Sequence, residues 1–157
     1  MISSALYFLC FAVLLLNDDK GIRIMAFFGM VHVVLENFLY WWFSTHAQFF
    51  DLSLYMSLCW LLDIALLFFS ACVLSGWKKK LTLTVAVPIL FCQVIVMQFP
   101  FLIPSLLSFV INSSYQTLME VLILCASFKD SCVREWLKTA TVVSLLVLAR
   151  FLPLLIH

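Results

Sequence analysis

Six apolar runs follow one another along almost the whole chain, with only a few residues between them. They are Ile2–Leu16, Gly21–Phe43, Leu52–Gly76, Leu81–Phe99, Pro104–Ser127 and Thr139–Ile156. A helix needs about 20 apolar residues to cross a hydrocarbon core of about 30 Å. The first run is the short one, covering about 22 Å as a helix. No Lys or Arg precedes it and no A-x-A-like site follows Leu16, so it is read as a retained helix and not a cleaved signal.

The runs leave little room for polar surface. Of 157 residues, 66% are hydrophobic and 11% charged, and the mean hydropathy is +1.17. Soluble domains carry roughly 25% charged residues, so a bilayer suits this chain better than water. No Gly-, Ser- or acid-rich linker divides it, and residues 1–157 are expected to form a single integral membrane domain. The net charge of +1 comes without a basic face, which excludes nucleic acid as a partner. The six cysteines, Cys10, Cys59, Cys72, Cys92, Cys125 and Cys132, show no CxxC spacing and read as small core side chains.

Charge placement gives the orientation. Lys20 and Arg23 flank the first connection, Lys78, Lys79 and Lys80 the third, and Lys129, Arg134 and Lys138 the fifth. Eight of the nine basic residues thus fall on alternate connections, whereas STHAQFFD and FPFLIP carry none. The positive-inside rule then puts the odd-numbered connections in the cytoplasm and both termini outside. The expected fold is all-α: a polytopic bundle of six transmembrane helices, N-out and C-out, in a bacterial inner membrane. Between runs four and five two turn signals compete, Pro100–Pro104 and Asn112–Ser114. Ser113 with Gln116, and Thr117 with Glu120, fit capping boxes that would start a helix late. In residues 128–138 Phe128, Cys132, Val133, Trp136 and Leu137 share one helical face, and Lys129, Asp130, Arg134 and Glu135 the other. An interfacial helix on the cytoplasmic leaflet is one reading, with Lys78–Lys80, Lys129, Arg134, Trp136 and Lys138 at the headgroups; a solvated elbow is the other. Trp41, Trp42, Trp60 and Trp77 suit an aromatic belt, and Pro88 and Pro153 are kink sites.

The polar residues inside the runs are the candidate site. By helical rise, His32, Glu36, Asp63, Gln93 and Arg150 lie within several Å of one depth, joined by Asn112 if the turn is at the prolines, with Glu120 nearer the cytoplasm and Gln116 a further polar candidate on the fifth run. A charge at the bilayer centre costs about 2.5–3.5 kcal/mol, so these groups are expected to turn inward and meet. Arg150 is expected to pair with Asp63, leaving Glu36 to His32 or in its neutral form as the better proton carrier. In the second run Gly29, His32, Glu36 and Tyr40 share a stripe. Ser105, Ser108, Asn112, Gln116 and Glu120 do so in the fifth. Such stripes serve either as interhelical adhesive or as the lining of a path.

Three classes of function fit. The first is a transport-related module for a proton, ion or small solute, or a membrane subunit, whose two halves would have opposite topology. The second is a non-enzymatic accessory, assembly, exclusion or immunity-type membrane protein of bacterial or phage origin, its partner another membrane protein or a second copy of itself. The third is a metal-dependent intramembrane enzyme using His32, Glu36 and Asp63 as ligands. No HExxH, P-loop or GxSxG pattern is present, and no cofactor is implied.

Overall fold

A computed structural model describes residues 2–46, 52–99, 104–127 and 139–149. Among them are six helices and no strands: α1 Ile2–Leu14, α2 Lys20–Thr45, α3 Leu52–Val73, α4 Gly76–Gln98, α5 Pro104–Ser127 and α6 Thr139–Ala149.

Local chemistry explains where the helices stop and start. After α1 the chain tightens, with Leu16 N–H bonded to the Val13 carbonyl and Asn17 N–H to that of Leu14. The Asn17 side chain then accepts from Asp19 N–H at 2.9 Å. Asp19 caps α2, its Oδ1 accepting from Gly21 N–H at 2.7 Å and Ile22 N–H at 3.4 Å. Two residues separate α3 from α4, and Gly76 makes that corner at φ +59°, a region costly for any side chain. α4 ends at Gln98, and α5 starts at Pro104 and runs unbroken through Asn112, Ser113 and Ser114, so the second turn signal is not used. A proline suits a first helical position, whose N–H has no partner to lose. The two capping-box patterns sit in mid-helix, where backbone amides are already bonded along the helix.

Consecutive helices pack side by side from α1 to α5, and α5 also returns to contact α1. Tyr7, Cys10, Phe11 and Leu14 fall on one face of α1 and are buried in the common core. α6 is tied to α1 by Ser3 Oγ–H to the Ala149 carbonyl, 3.2 Å, and to α5 by Thr139 Oγ1–H to the Ser127 carbonyl, 2.8 Å. α1 and α2 come together at Gly29, where an added Cβ would collide with the Phe11 ring.

The exterior is apolar. Phe27, Phe38, Trp41, Trp42, Phe68 and Phe91 are all exposed. Lys20–Thr45 and Leu54–Val73 are long and apolar enough to cross a membrane, and only 33% and 28% of their most apolar windows is buried. Ser3–Leu14, Gln116–Ser127 and Thr139–Ala149 are apolar but shorter. Hydroxyls within the helices turn back onto their own backbone, Ser70 to Leu66, Thr84 to Lys80, Ser127 to Ile123 and Ser144 to Ala140, each at 2.7–2.9 Å. The 128–138 segment with Lys129, Arg134, Trp136 and Lys138, and the end of the last run with Arg150 and Pro153, lie outside the described residues.

Candidate functional site

α2 and α3 run antiparallel, and their contacts fix a register. Gly21 lies against the Val73 carbonyl at one end. The rings of Phe28 and Phe69 stack at 4.0 Å. His32 meets Asp63, and Phe43 meets Tyr55 edge-on near the other end. Each step forward along α2 is matched by a similar step back along α3. That register is what brings two polar residues 31 positions apart into contact.

At that contact His32 Nε2 lies 3.0 Å from Asp63 Oδ1. The other carboxylate oxygen, Oδ2, accepts from Gln93 Nε2–H on α4 at 3.0 Å. Three successive helices therefore each contribute one side chain to a single chain of hydrogen bonds. His32, Asp63 and Gln93 are only 4%, 3% and 5% exposed. Gln93 Oε1 is buried and has no hydrogen-bond partner among the described residues, so the group has acceptor capacity left over. A carboxylate facing an imidazole Nε2 is a pair between which a proton can be shared or moved.

The remaining candidates separate from this group or surround it. Glu36 is half-buried one turn along α2 and interacts electrostatically with Cys59 and Tyr55 on α3. Glu120, on α5, accepts from Tyr7 O–H on α1 at 3.4 Å, a contact nearer the α1–α2 corner. Gln116 is half-buried one turn earlier on α5. Asn112 belongs to the backbone of α5, but its side chain, like Arg150, is outside the described set. Asp63 takes His32 and Gln93 as partners, with His32 Nε2 going to Asp63, while Arg150, expected beside Asp63, lies outside the described residues. Depth alone could not reveal this, because equal depth says nothing about which way a side chain points around its helix.

Among the described residues no group of three or more His, Cys, Asp or Glu is placed to hold a metal, so His32, Glu36 and Asp63 do not form the three-ligand set considered above. Lys78, Lys79 and Lys80 occupy the first turns of α4, the last two exposed. Trp41, Trp42 and Trp77 are exposed, whereas Trp60 turns inward and donates its Nε1–H to the Leu90 carbonyl of α4 at 3.3 Å. Sequence reasoning missed Tyr7, Trp60 and the pair Tyr55 and Cys59. The last two could have been found, since Tyr55, Cys59 and Asp63 recur at four-residue steps on α3.

Fold and site together define an all-helical bundle with an apolar exterior and a buried, ionisable hydrogen-bond chain linking three of its helices. The chain belongs to the Phage PhiTE protein family, whose profile matches residues 1–152, and this points to a phage origin. No curated protein and no solved structure matches it.

Proposed function

We propose that this is a multi-pass integral membrane protein that a phage places in the inner membrane of its bacterial host. There it serves as a small transport-type module centred on His32, Asp63 and Gln93. The observation that carries the reading is Asp63, a carboxylate at 3% exposure in the middle of a helix whose outer face is apolar. An ionisable group at bilayer depth costs about 2.5–3.5 kcal/mol. Interhelical adhesion needs no charge, since Ser, Thr or Asn at this position would hydrogen-bond as well. The basic residues at alternate corners support six crossings with both termini outside. α1 spans about 20 Å, and its burial against α2, α5 and α6 accounts for so short a crossing.

The test is reconstitution of the purified protein in liposomes and measurement of proton, cation and small-solute flux for wild type and Asp63→Asn. Flux in wild type that is lost in a folded Asp63→Asn variant supports the reading. Absence of flux from folded wild type for every species refutes it.

A second reading has its own observation. The aromatic residues exposed on α2 and α3, with few residues left in the corners, suit a non-enzymatic accessory or exclusion-type protein that binds another membrane protein, or a second copy of itself, through its lipid-facing helices. A stoichiometric partner recovered in mild detergent, with no flux from the protein alone, favours this alternative.

A further inference from the structure

Glu36, Cys59, Tyr40 and Tyr55 continue the line of the His32–Asp63–Gln93 group along α2 and α3. His32, Glu36 and Tyr40 stand at four-residue steps on α2, and Tyr55, Cys59 and Asp63 do so on α3. Residues at such steps share one helical face. The two helices are antiparallel, and two contacts fix their register on either side of this segment. One is the 3.0 Å bond between His32 and Asp63. The other is the edge-on packing of Phe43 and Tyr55, ring centres 5.5 Å apart. Between these points Glu36 comes opposite Cys59, and Tyr40 opposite Tyr55. Cys59 and Tyr55 share a side-chain hydrogen bond, and both interact with the Glu36 carboxyl. Among the described residues, the groups facing Asp63 are His32 from α2, Gln93 from α4 and Cys59 from its own helix. Those facing Glu36 are Cys59 and Tyr55 from α3 and, along α2, His32 and Tyr40.

Exposure grades along this line. His32 and Asp63 are buried, Glu36, Cys59 and Tyr55 are half-buried, and Tyr40 is exposed. The open end lies toward the α2–α3 corner, the one without Lys or Arg, which is the outer side by the positive-inside rule.

We propose that this double row is a proton access route from the outer face to the His32–Asp63 pair, with Glu36 as its relay. It rests on the transport reading and names the proton as the species moved. A proton from outer water binds the Glu36 carboxylate, forming one O–H bond. That bond breaks as the proton passes to the Asp63 carboxylate, leaving Glu36 ionised again. From Asp63 the proton goes to His32 Nε2, giving an imidazolium beside a carboxylate. Only O–H and N–H bonds change, and no oxidant or reductant takes part. Tyr40 and Tyr55 are the members of the two rows nearest the outer corner, and a phenol there favours water over lipid tails.

The experiment uses the full chain in liposomes, an acid jump on the outer face, and infrared carboxyl bands to time proton arrival at Asp63, with flux measured in parallel. Wild type, Glu36→Gln, Glu36→Asp and Asp63→Asn are compared. Glu36→Gln should slow arrival about tenfold or more, a modest effect for loss of a proton-transferring group, while Glu36→Asp retains most of the rate. If Asp63→Asn abolishes flux and Glu36→Gln leaves arrival and flux unchanged, the route is overturned although the transport reading survives. If wild type carries no flux but arrival at Asp63 still depends on Glu36, the route stands as a dead-end uptake path and the transport reading fails. If no proton reaches Asp63 in wild type, both fail. Glu36→Asp guards against misreading a folding defect, since it keeps the carboxyl.

Discussion

Replacing Asp63 by Ala removes the carboxylate that His32 and Gln93 share. Two buried groups each lose a hydrogen bond to this carboxylate, at about 1–2 kcal/mol apiece, so the variant should lose about 2–4 kcal/mol of stability. Part of that loss is the cavity and the orphaned groups, not the bond itself, and a double-mutant cycle separates them. The coupling between His32→Ala and Asp63→Ala should be about 0.6–1.7 kcal/mol, the measured span for interhelical hydrogen bonds in a membrane protein. The cycle of Gln93→Ala with Asp63→Ala should give a coupling within the same span. Asp63→Asn keeps an acceptor and a donor in the same place, and should cost about 1 kcal/mol or less. The assay is reversible unfolding of the detergent-solubilised full chain by increasing SDS, followed by loss of helical circular dichroism. A His32–Asp63 coupling below about 0.3 kcal/mol, within ordinary additivity, would show that these side chains do not meet and would remove the basis of the site.

Four further outcomes follow from the packing, each read by the same unfolding assay. Gly29→Ala gains about 1 kcal/mol of helix propensity but drives a methyl into the fully buried Phe11 ring. Overpacking of that kind costs about 1–3 kcal/mol, so the variant should be destabilised, and Phe11→Leu should relieve it. Gly76→Ala meets no atom within 4 Å; its loss, about 1 kcal/mol or slightly more, is the left-handed backbone alone, and Gly76→Asn should lose less. Asp19→Ala removes the cap of α2 and should cost about 0.5–2 kcal/mol, with Asp19→Ser recovering most of it. Tyr7→Phe gives up a long bond to Glu120 and should cost about 0.5–1 kcal/mol; a larger loss would mean that the α1–α5 contact matters more than its geometry implies.

The helices were largely legible because their limits are written in local chemistry. Asp19 starts α2 one residue before the apolar run, and Pro104 starts α5 where a lost N–H costs nothing. α3 stops at Val73 and not at Gly76, because Gly76 at positive φ makes the corner and opens α4. The candidate site was legible in depth but not in direction. Counting residues from the corners placed His32, Asp63 and Gln93 at similar levels, and they do meet. The same counting could not say which of these side chains would pair, because depth carries no information on azimuth, which is set by the register of α2 on α3. That register depends on Gly21 at Val73 and Phe28 on Phe69, apolar contacts with no distinctive signal in one sequence. Tyr7 escaped notice for a related reason: a single tyrosine in an apolar run looks like core until a neighbouring helix brings Glu120 to its hydroxyl.

Cysteine labelling of the corners in living cells bears most directly on the proposal that the chain crosses the inner membrane several times. In a cysteine-free background, His46→Cys, Asp18→Cys and Ser75→Cys would each be treated with a membrane-impermeant maleimide before and after permeabilisation. Immediate modification at position 46, with positions 18 and 75 reacting only once the membrane is opened, is the expected pattern. Recovery of the protein in the high-speed supernatant, or equal labelling of all three positions in intact cells, would contradict it.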